Sequence, residues 1–261
     1  MAWNIVRHAF LMVFGNLSQS LKVSLPPLVM LAVFTAFVLI STGVPLDMNS
    51  PEAVTDVASR LSALDLMLIL ALIGFSLFVM SWVAVAWHRF ILLEEYTALL
   101  PATQNRPIGS YLWRSLQLVL LIALVAVPVM FVVGIILLPF QGGAGSSLGE
   151  ALVGLALGVV MTFLWLRWAI VLPAIAVDHA MTLTEAWAET KPVSGVILNV
   201  AVIVTILKVL ATVVVSLFYG ALPLVAFVCD IITNWTALMV GASILTTIYG
   251  HVVEGRPLSG N

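Results

Sequence analysis

The sequence predicts an all-α polytopic membrane protein with about six transmembrane helices arranged as three hairpins. Of its 261 residues, 62% are hydrophobic and only 8% are charged, which is too few to make the water-exposed surface of a soluble domain. Long stretches without charge recur, for example between Arg114 and Glu150 and between Lys208 and Asp230. A helix of about 20 apolar residues crosses the hydrocarbon layer. These stretches therefore predict membrane spans.

The first 22 residues predict an amphipathic helix that lies in the membrane interface. Large apolar side chains recur there at spacings of three and four residues, and the polar side chains occupy other faces. The apolar positions are Trp3, Val6, Phe10, Val13 and Leu17. The alternative is that this segment is simply the cytoplasmic start of the first span.

Residues 23–255 are predicted to form a single six-helix transmembrane domain, and residues 256–261 a cytoplasmic tail. The expected spans are 28–43, 64–90, 112–140, 152–176, 196–219 and 222–249. We expect Pro26–Pro27 to precede the first span. A Gly/Ser turn at 141–147 and a tighter turn at 220–223 close the second and third hairpins.

The basic residues orient these spans. With the N-terminus in the cytoplasm, seven basic residues lie on the cytoplasmic side, namely Arg7, Lys22, Arg89, Arg106, Arg114, Lys191 and Arg256. By the positive-inside rule, both termini are then cytoplasmic. Polar segments that follow the second and fourth spans are each predicted to carry a short helix, and in the second of these Thr182 or Thr184 caps the helix. Glu94, Glu95, Glu185 and Glu189 are expected on solvated helix faces.

The segment Arg167–Asp178 reads Arg-Trp-x-x-x-Leu-Pro-Ala-Ile-x-Val-Asp, and Ala186-Trp187 and Gly195 follow it. This pattern resembles bacterial six-span inner-membrane proteins, which include the membrane domain of glycerophosphoryl diester phosphodiesterases and its small uncharacterised relatives. The resemblance implies a six-helix fold in the bacterial inner membrane. It transfers no catalytic residue, because the chain lacks the catalytic barrel.

Lys208 and Asp230 form the sharpest candidate site, because a charge within a span is costly and functional by default. Both lie at a similar distance from the turn at Tyr219–Gly220, so an antiparallel hairpin places them at similar depth. They are a candidate intramembrane polar pair, with Asn234 one turn away. The alternatives are a pair that only fixes hairpin register, or a Lys208 that reaches toward the interface.

Two further sets of polar residues lie near the predicted cytoplasmic side. Arg89 and Arg167 are candidate lipid-phosphate sites or interface anchors. The four histidines are His8, His88, His179 and His251. They either converge on a metal or haem, or serve as separate polar anchors; no metal-ligand spacing favours the first reading.

These observations predict a non-catalytic accessory or structural subunit without a cofactor, and no motif of an ATPase, serine hydrolase or thiol oxidoreductase occurs. Its expected partners are membrane lipids and another membrane protein or a second copy, not nucleic acid. Glu185 and Trp187 are candidate partner contacts. Gly154 and Gly158, four residues apart, favour close helix packing. The alternative function is a small carrier or lipid-handling protein that uses Lys208, Asp230 and Arg167.

Overall fold

The computed structural model describes residues 1–44, 55, 57, 59–137, 146–220 and 222–257. Of the described residues, 83% are helical and none lies in a strand. Six of the helices that these residues form are long and apolar enough to cross a membrane. The predicted class is therefore confirmed: the chain is a multi-pass helical membrane protein. The predicted turn at 141–147 lies almost wholly outside the described residues.

Nine helices have bounds within the described residues. Their bounds are α1 Ala2–Gly15, α2 Leu17–Thr42, α3 Ala63–Leu93, α4 Ile108–Leu137, α5 Ser146–Trp168, α6 Val171–Ala176, α7 Leu183–Glu189, α8 Ser194–Tyr219 and α9 Pro223–Val252. Helices α5 and α6 together form the fourth apolar span. The polar segment between α3 and α4 contains no helix, so the helix predicted there is wrong, whereas the one predicted after the fourth span is α7.

Successive spans run in opposite directions and define two ends of the bundle. We call the end where α2, α4 and α8 begin and where α3 and α9 end the terminal side, and the opposite end the far side. Helices α2 and α3 pack as a hairpin, and so do α8 and α9. Helices α4 and α5 also touch, but α5 packs much more extensively against α8. The α4–α5 hairpin is therefore packed less closely than the other two, because α5 packs mainly against α8.

The first spanning helix begins earlier than the sequence predicts. It starts at Leu17 and runs through Pro26 and Pro27, which were expected to precede it. Each proline removes a backbone donor, yet tertiary contacts hold this stretch in the helix: Val23, Ser24 and Pro27 are buried. The break from α1 falls at Asn16 rather than after residue 22.

Helix α1 packs onto the bundle as well as being amphipathic. Its buried residues are Ile5, Val6, Ala9 and Val13, and its neighbours are chiefly α8 and α9. Trp3, expected on the apolar stripe, is exposed instead. The stripe therefore turns toward the protein, which leaves Trp3, Leu11 and Phe14 on an outward face.

The hydrophobic core lies in the terminal-side half of the bundle. Its largest fully buried side chains include Trp87, Tyr249, Leu118 and Ile170. Toward the far side the helices are exposed on most of their faces, and on the far half of α8 Val215 is the one buried residue. The spans are thus tightly joined at one end and poorly covered by one another at the other.

Candidate functional site

An arginine-centred ion cluster joins α3 to the segments that follow α3 and α6. Arg89 donates two parallel hydrogen bonds to Glu95, at 2.8 and 3.0 Å between nitrogen and oxygen. It also donates to the Asp178 carboxylate at 2.7 Å and to the Ala176 carbonyl at 2.8 Å. Arg106 contacts Glu95 from the other side. Arg89 is buried and fully engaged, so it ties three chain segments together and has little capacity left for a lipid phosphate.

Local backbone geometry delivers both carboxylates to this cluster. Glu94 ends α3 in the left-handed region, with φ of 55°, and the amide of Glu95 returns to the carbonyl of Arg89. Asp178 adopts φ of 60° just after α6. The expectation that Glu95 lies on a solvated helix face was wrong, because the chain turns back at Glu94. Hydrogen bonds from Arg89 hold the pKa of Glu95 below its usual value.

A second polar group ties α3, α4 and α9 together. Nδ1 of His88 lies 2.8 Å from the Thr246 hydroxyl, and its Nε2 lies 3.2 Å from the Tyr111 hydroxyl. The neighbouring residue, Trp87, donates from its indole to the hydroxyl of Ser243, one turn before Thr246 on α9, at 2.9 Å. Buried polar groups need such partners. Among the described side chains, one buried atom lacks a partner, Oε1 of Gln117.

Arg167 fastens α7 to the end of α5. Its guanidinium lies 3.5 Å from the centre of the Trp187 ring, which is a close cation–π contact. It also donates to the Thr190 hydroxyl and to the Trp187 carbonyl, at 3.1 and 2.6 Å. The predicted Arg167 site is therefore an internal latch in this fold, and Trp187 is half-buried beneath it.

Helix α7 begins with a capping box. The Thr182 hydroxyl accepts from the amide of Glu185, and the Glu185 carboxylate accepts from the amide of Thr182. Of the two predicted caps, Thr182 is confirmed. These hydrogen bonds lower the pKa of Glu185. Glu185 and Trp187 both have partners within the chain, and their role in partner contact stays a prediction.

The four histidines lie in three environments, one of which His8 and His251 share. His88 bonds Thr246 and Tyr111, His179 lies 2.9 Å from the Tyr249 hydroxyl, and His8 and His251 line a cavity at the terminal side. No group of three or more His, Cys, Asp or Glu side chains suited to a metal is found across the described residues. The four histidines thus do not converge on one site within the described residues.

Lys208 and Asp230 do not meet within the chain. Lys208 is exposed, Asp230 is half-buried, and no ion pair joins them in the part of the chain that the structure describes. Asn234 is exposed and donates to the Asp230 carbonyl. Depth along the hairpin does not fix direction around each helix. Thr205, one turn from Lys208, contacts Thr162 of α5, so this face of α8 is turned toward α5 rather than α9.

The exposure of Lys208 is unexpected for the stripe on which it lies. At alternating spacings of four and three residues, this stripe of α8 comprises Ala201, Thr205, Lys208, Thr212 and Val215. Its first two members and its last are buried, whereas Lys208 and Thr212 are exposed. A face that is buried at both ends faces the bundle. The described helices therefore leave a gap over α8 at the depth of Lys208.

No family model, curated protein or solved structure matches the chain. The resemblance to six-span inner-membrane proteins stays a prediction.

Sequence reasoning found Arg89 and Arg167 but missed their partners. Glu95 and Asp178 lie 6 and 89 residues from Arg89. The short distance to Glu95 offered a signal, since a helix end followed by a left-handed residue reverses the chain. Asp178 offered none, because its contact depends on how α6 packs against α3 and α4.

Proposed function

We propose that the chain is a non-catalytic accessory subunit of the bacterial inner membrane that binds another membrane protein through the uncovered stripe of α8. The observation that carries the proposal is the exposed Lys208 within a span. A charged side chain inside the bilayer faces protein or water and pairs with a polar partner. Within the described chain, Lys208 has no such partner.

The side chain of Lys208 is too short to bring its charge to the membrane interface. Lys208 is the fifteenth of the 26 residues of α8, so its Cα lies about 2 Å from the midpoint of the helix at 1.5 Å per residue. A lysine stem reaches about 6 Å, whereas half of the hydrocarbon layer is about 15 Å thick. The ammonium group thus stays within the apolar layer. It is exposed to lipid there unless another molecule covers it.

The rest of the chain supports a scaffold more than a catalyst. Arg89, Arg167 and His88 each hold separate helices together, and their donor atoms are directed to protein partners. The polar cavities at the terminal side do not include Lys208 or Asp230. The proposed occupant of the α8 stripe is a transmembrane helix that carries a carboxylate or another acceptor at the depth of Lys208.

The proposed orientation places the terminal side in the cytoplasm. Seven of the ten basic residues fall on that side by sequence, as the positive-inside rule requires. The same side contains the ion cluster of Arg89 and the latch of Arg167. The far side, where the helices cover one another least, then faces away from the cytoplasm.

Photo-crosslinking in native membranes tests the proposal. A photoreactive amino acid at Thr212, one turn from Lys208, is expected to form a protein adduct of defined mass. The same residue at Ile40, an exposed position of α2, is expected to form lipid adducts. The mass of the adduct from position 212 distinguishes a second copy from a different protein.

Charge reversal supplies the matched control. Lys208→Glu should abolish the adduct from position 212, because it replaces an attraction by a repulsion. Lys191→Glu reverses an equally exposed lysine outside the spans and should leave the adduct intact. Lipid adducts alone from position 212, or a protein adduct that survives Lys208→Glu, would contradict the proposal.

A further inference from the structure

A cavity of about 190 Å³ opens at the terminal side between α1, the end of α3 and the end of α9. Three side chains that can carry positive charge line it, namely His8, His251 and Arg256, and the hydroxyls of Thr246 and Thr247 line it as well. No carboxylate is among its lining residues. Of the polar contacts described above, only that between Thr246 and His88 involves a residue that lines this cavity.

Arg256 is held in place by several independent contacts. Its backbone amide donates to the Gly250 carbonyl at 2.8 Å, and Gly255 before it adopts a left-handed φ of 66°. Its guanidinium binds Glu254 through Nε and donates through Nη2 to the Leu92 carbonyl at 3.0 Å. In the described part of the chain, Nη1 has no hydrogen-bond partner and stays available.

Gly250 makes room for this arginine. A Cβ atom at position 250 would lie 3.4 Å from Cδ of Arg256. The stem of Arg256 therefore passes directly over the glycine on its way to Leu92. An alanine at this position would only touch the stem at van der Waals distance, whereas a larger side chain would displace it.

Two histidines line the cavity together with Arg256. Nδ1 of His251 lies 3.0 Å from the Arg256 carbonyl. Because a carbonyl oxygen only accepts, this Nδ1 is protonated and donates to it. His8 is half-buried and makes no hydrogen bond or ion pair with the described residues. The ring nitrogens of His8 are therefore free to bond a ligand in the cavity.

We propose that this cavity binds a phosphoryl group, from either the head group of an anionic lipid or a soluble phosphate. Although Glu254 binds its Nε, Arg256 keeps a free N–H in a cavity that two imidazoles and no carboxylate line, and an arginine N–H is a preferred donor to a phosphate oxygen. The volume equals that of about six waters at roughly 30 Å³ each, which accommodates a phosphate. Met12, Ile91 and Leu92 add an apolar wall that suits the glycerol end of a lipid.

Thermal unfolding of the purified full chain tests this site and its two sources of phosphate. One arm adds inorganic phosphate to the protein in an uncharged detergent, at constant ionic strength set with chloride. The other arm compares nanodiscs of phosphatidylcholine with nanodiscs that contain phosphatidic acid. We expect Tm to rise in at least one arm. A rise only with phosphatidic acid identifies the lipid as the source.

The variants assign any rise to the cavity. Arg256→Gln and His8→Gln should weaken the apparent affinity about tenfold or more, as expected for the loss of a charged hydrogen bond. Arg7→Gln, an exposed arginine next to His8, is the matched control and should leave the affinity unchanged. No rise in either arm, or a rise that Arg256→Gln and His8→Gln leave intact, would overturn the proposal.

Discussion

Replacement of Arg89 by glutamine should be among the most destabilising single changes on the polar side of this bundle. The side chain of Arg89 is only 9% exposed, and it contacts Glu95, Asp178 and the carbonyl of Ala176. Glutamine is too short and neutral to reproduce the two parallel bonds to Glu95. The variant thus leaves the Asp178 carboxylate and the Ala176 carbonyl without this donor, and leaves Glu95 with Arg106 alone.

The contacts set the expected size of this effect. The bond to Ala176 is buried, and an unpaired buried acceptor costs about 1–3 kcal/mol. The bonds to Glu95 and Asp178 are worth less, because these side chains are 33% and 64% exposed and solvent screens them. Together the contacts predict a loss of about 3 kcal/mol in the free energy of unfolding. Arg106→Gln removes only a part-exposed ion pair with the same Glu95 and should cost about 1 kcal/mol or less.

Unfolding in mixed micelles with an increasing mole fraction of SDS measures both variants against the wild type. Arg89→Lys should fall between the wild type and Arg89→Gln, because it keeps the charge and loses the paired geometry. A loss below about 1 kcal/mol for Arg89→Gln, equal to that of Arg106→Gln, would refute the reasoning. It would mean that Arg89 anchors at the interface and does not join the segments.

Three further predictions concern packing, topology and pH. Gly158→Ala should lower the free energy of unfolding by about 1 kcal/mol, since its Cβ would lie 3.2 Å from Cγ2 of Thr205. Gly154→Ala should be neutral, because its Cβ would meet nothing within 4 Å. Unfolding in SDS compares the two variants, and equal losses of stability would argue against this contact. In a variant without Cys229, cysteines at positions 54 and 188 should react with an impermeant maleimide from opposite sides of the membrane, and labelling of both from one side would reject the six-span topology. Because Arg89 lowers the pKa of Glu95, ionised Glu95 stabilises the fold above about pH 4.3, the usual value for glutamate, and this stabilisation disappears as the pH falls through the lowered pKa. The difference in Tm between wild type and Glu95→Gln should therefore shrink below about pH 4, and a constant difference would show that the charge of Glu95 does not matter.

The sequence predicted the spans well because membrane insertion depends on local composition. Runs of apolar residues revealed six helices within a few residues of their observed ends, apart from α2. The early start of α2 escaped prediction because buried contacts around Pro27 outweigh the local preference against a proline. The cap at Thr182 was readable since its partner lies three residues away.

The partners of the polar residues were much harder to predict. The depths of Lys208 and Asp230 followed from helix rise alone, but their directions depend on how α8 rotates against α5. The same holds for Arg89 and Asp178, which meet only because α6 packs beside α3. Sequence periodicity identifies faces of one helix, and contact between distant helices is decided by packing that a single sequence does not display.

The mass of the assembly extracted in a mild detergent tests the central claim most directly. Native mass spectrometry should find the wild-type chain and Lys191→Glu in a complex with a second protein chain, and Lys208→Glu as a monomer with bound lipid. A wild-type chain that is monomeric under the mildest extraction, or a complex that Lys208→Glu leaves intact, would contradict the claim that Lys208 marks a protein-binding surface within the membrane.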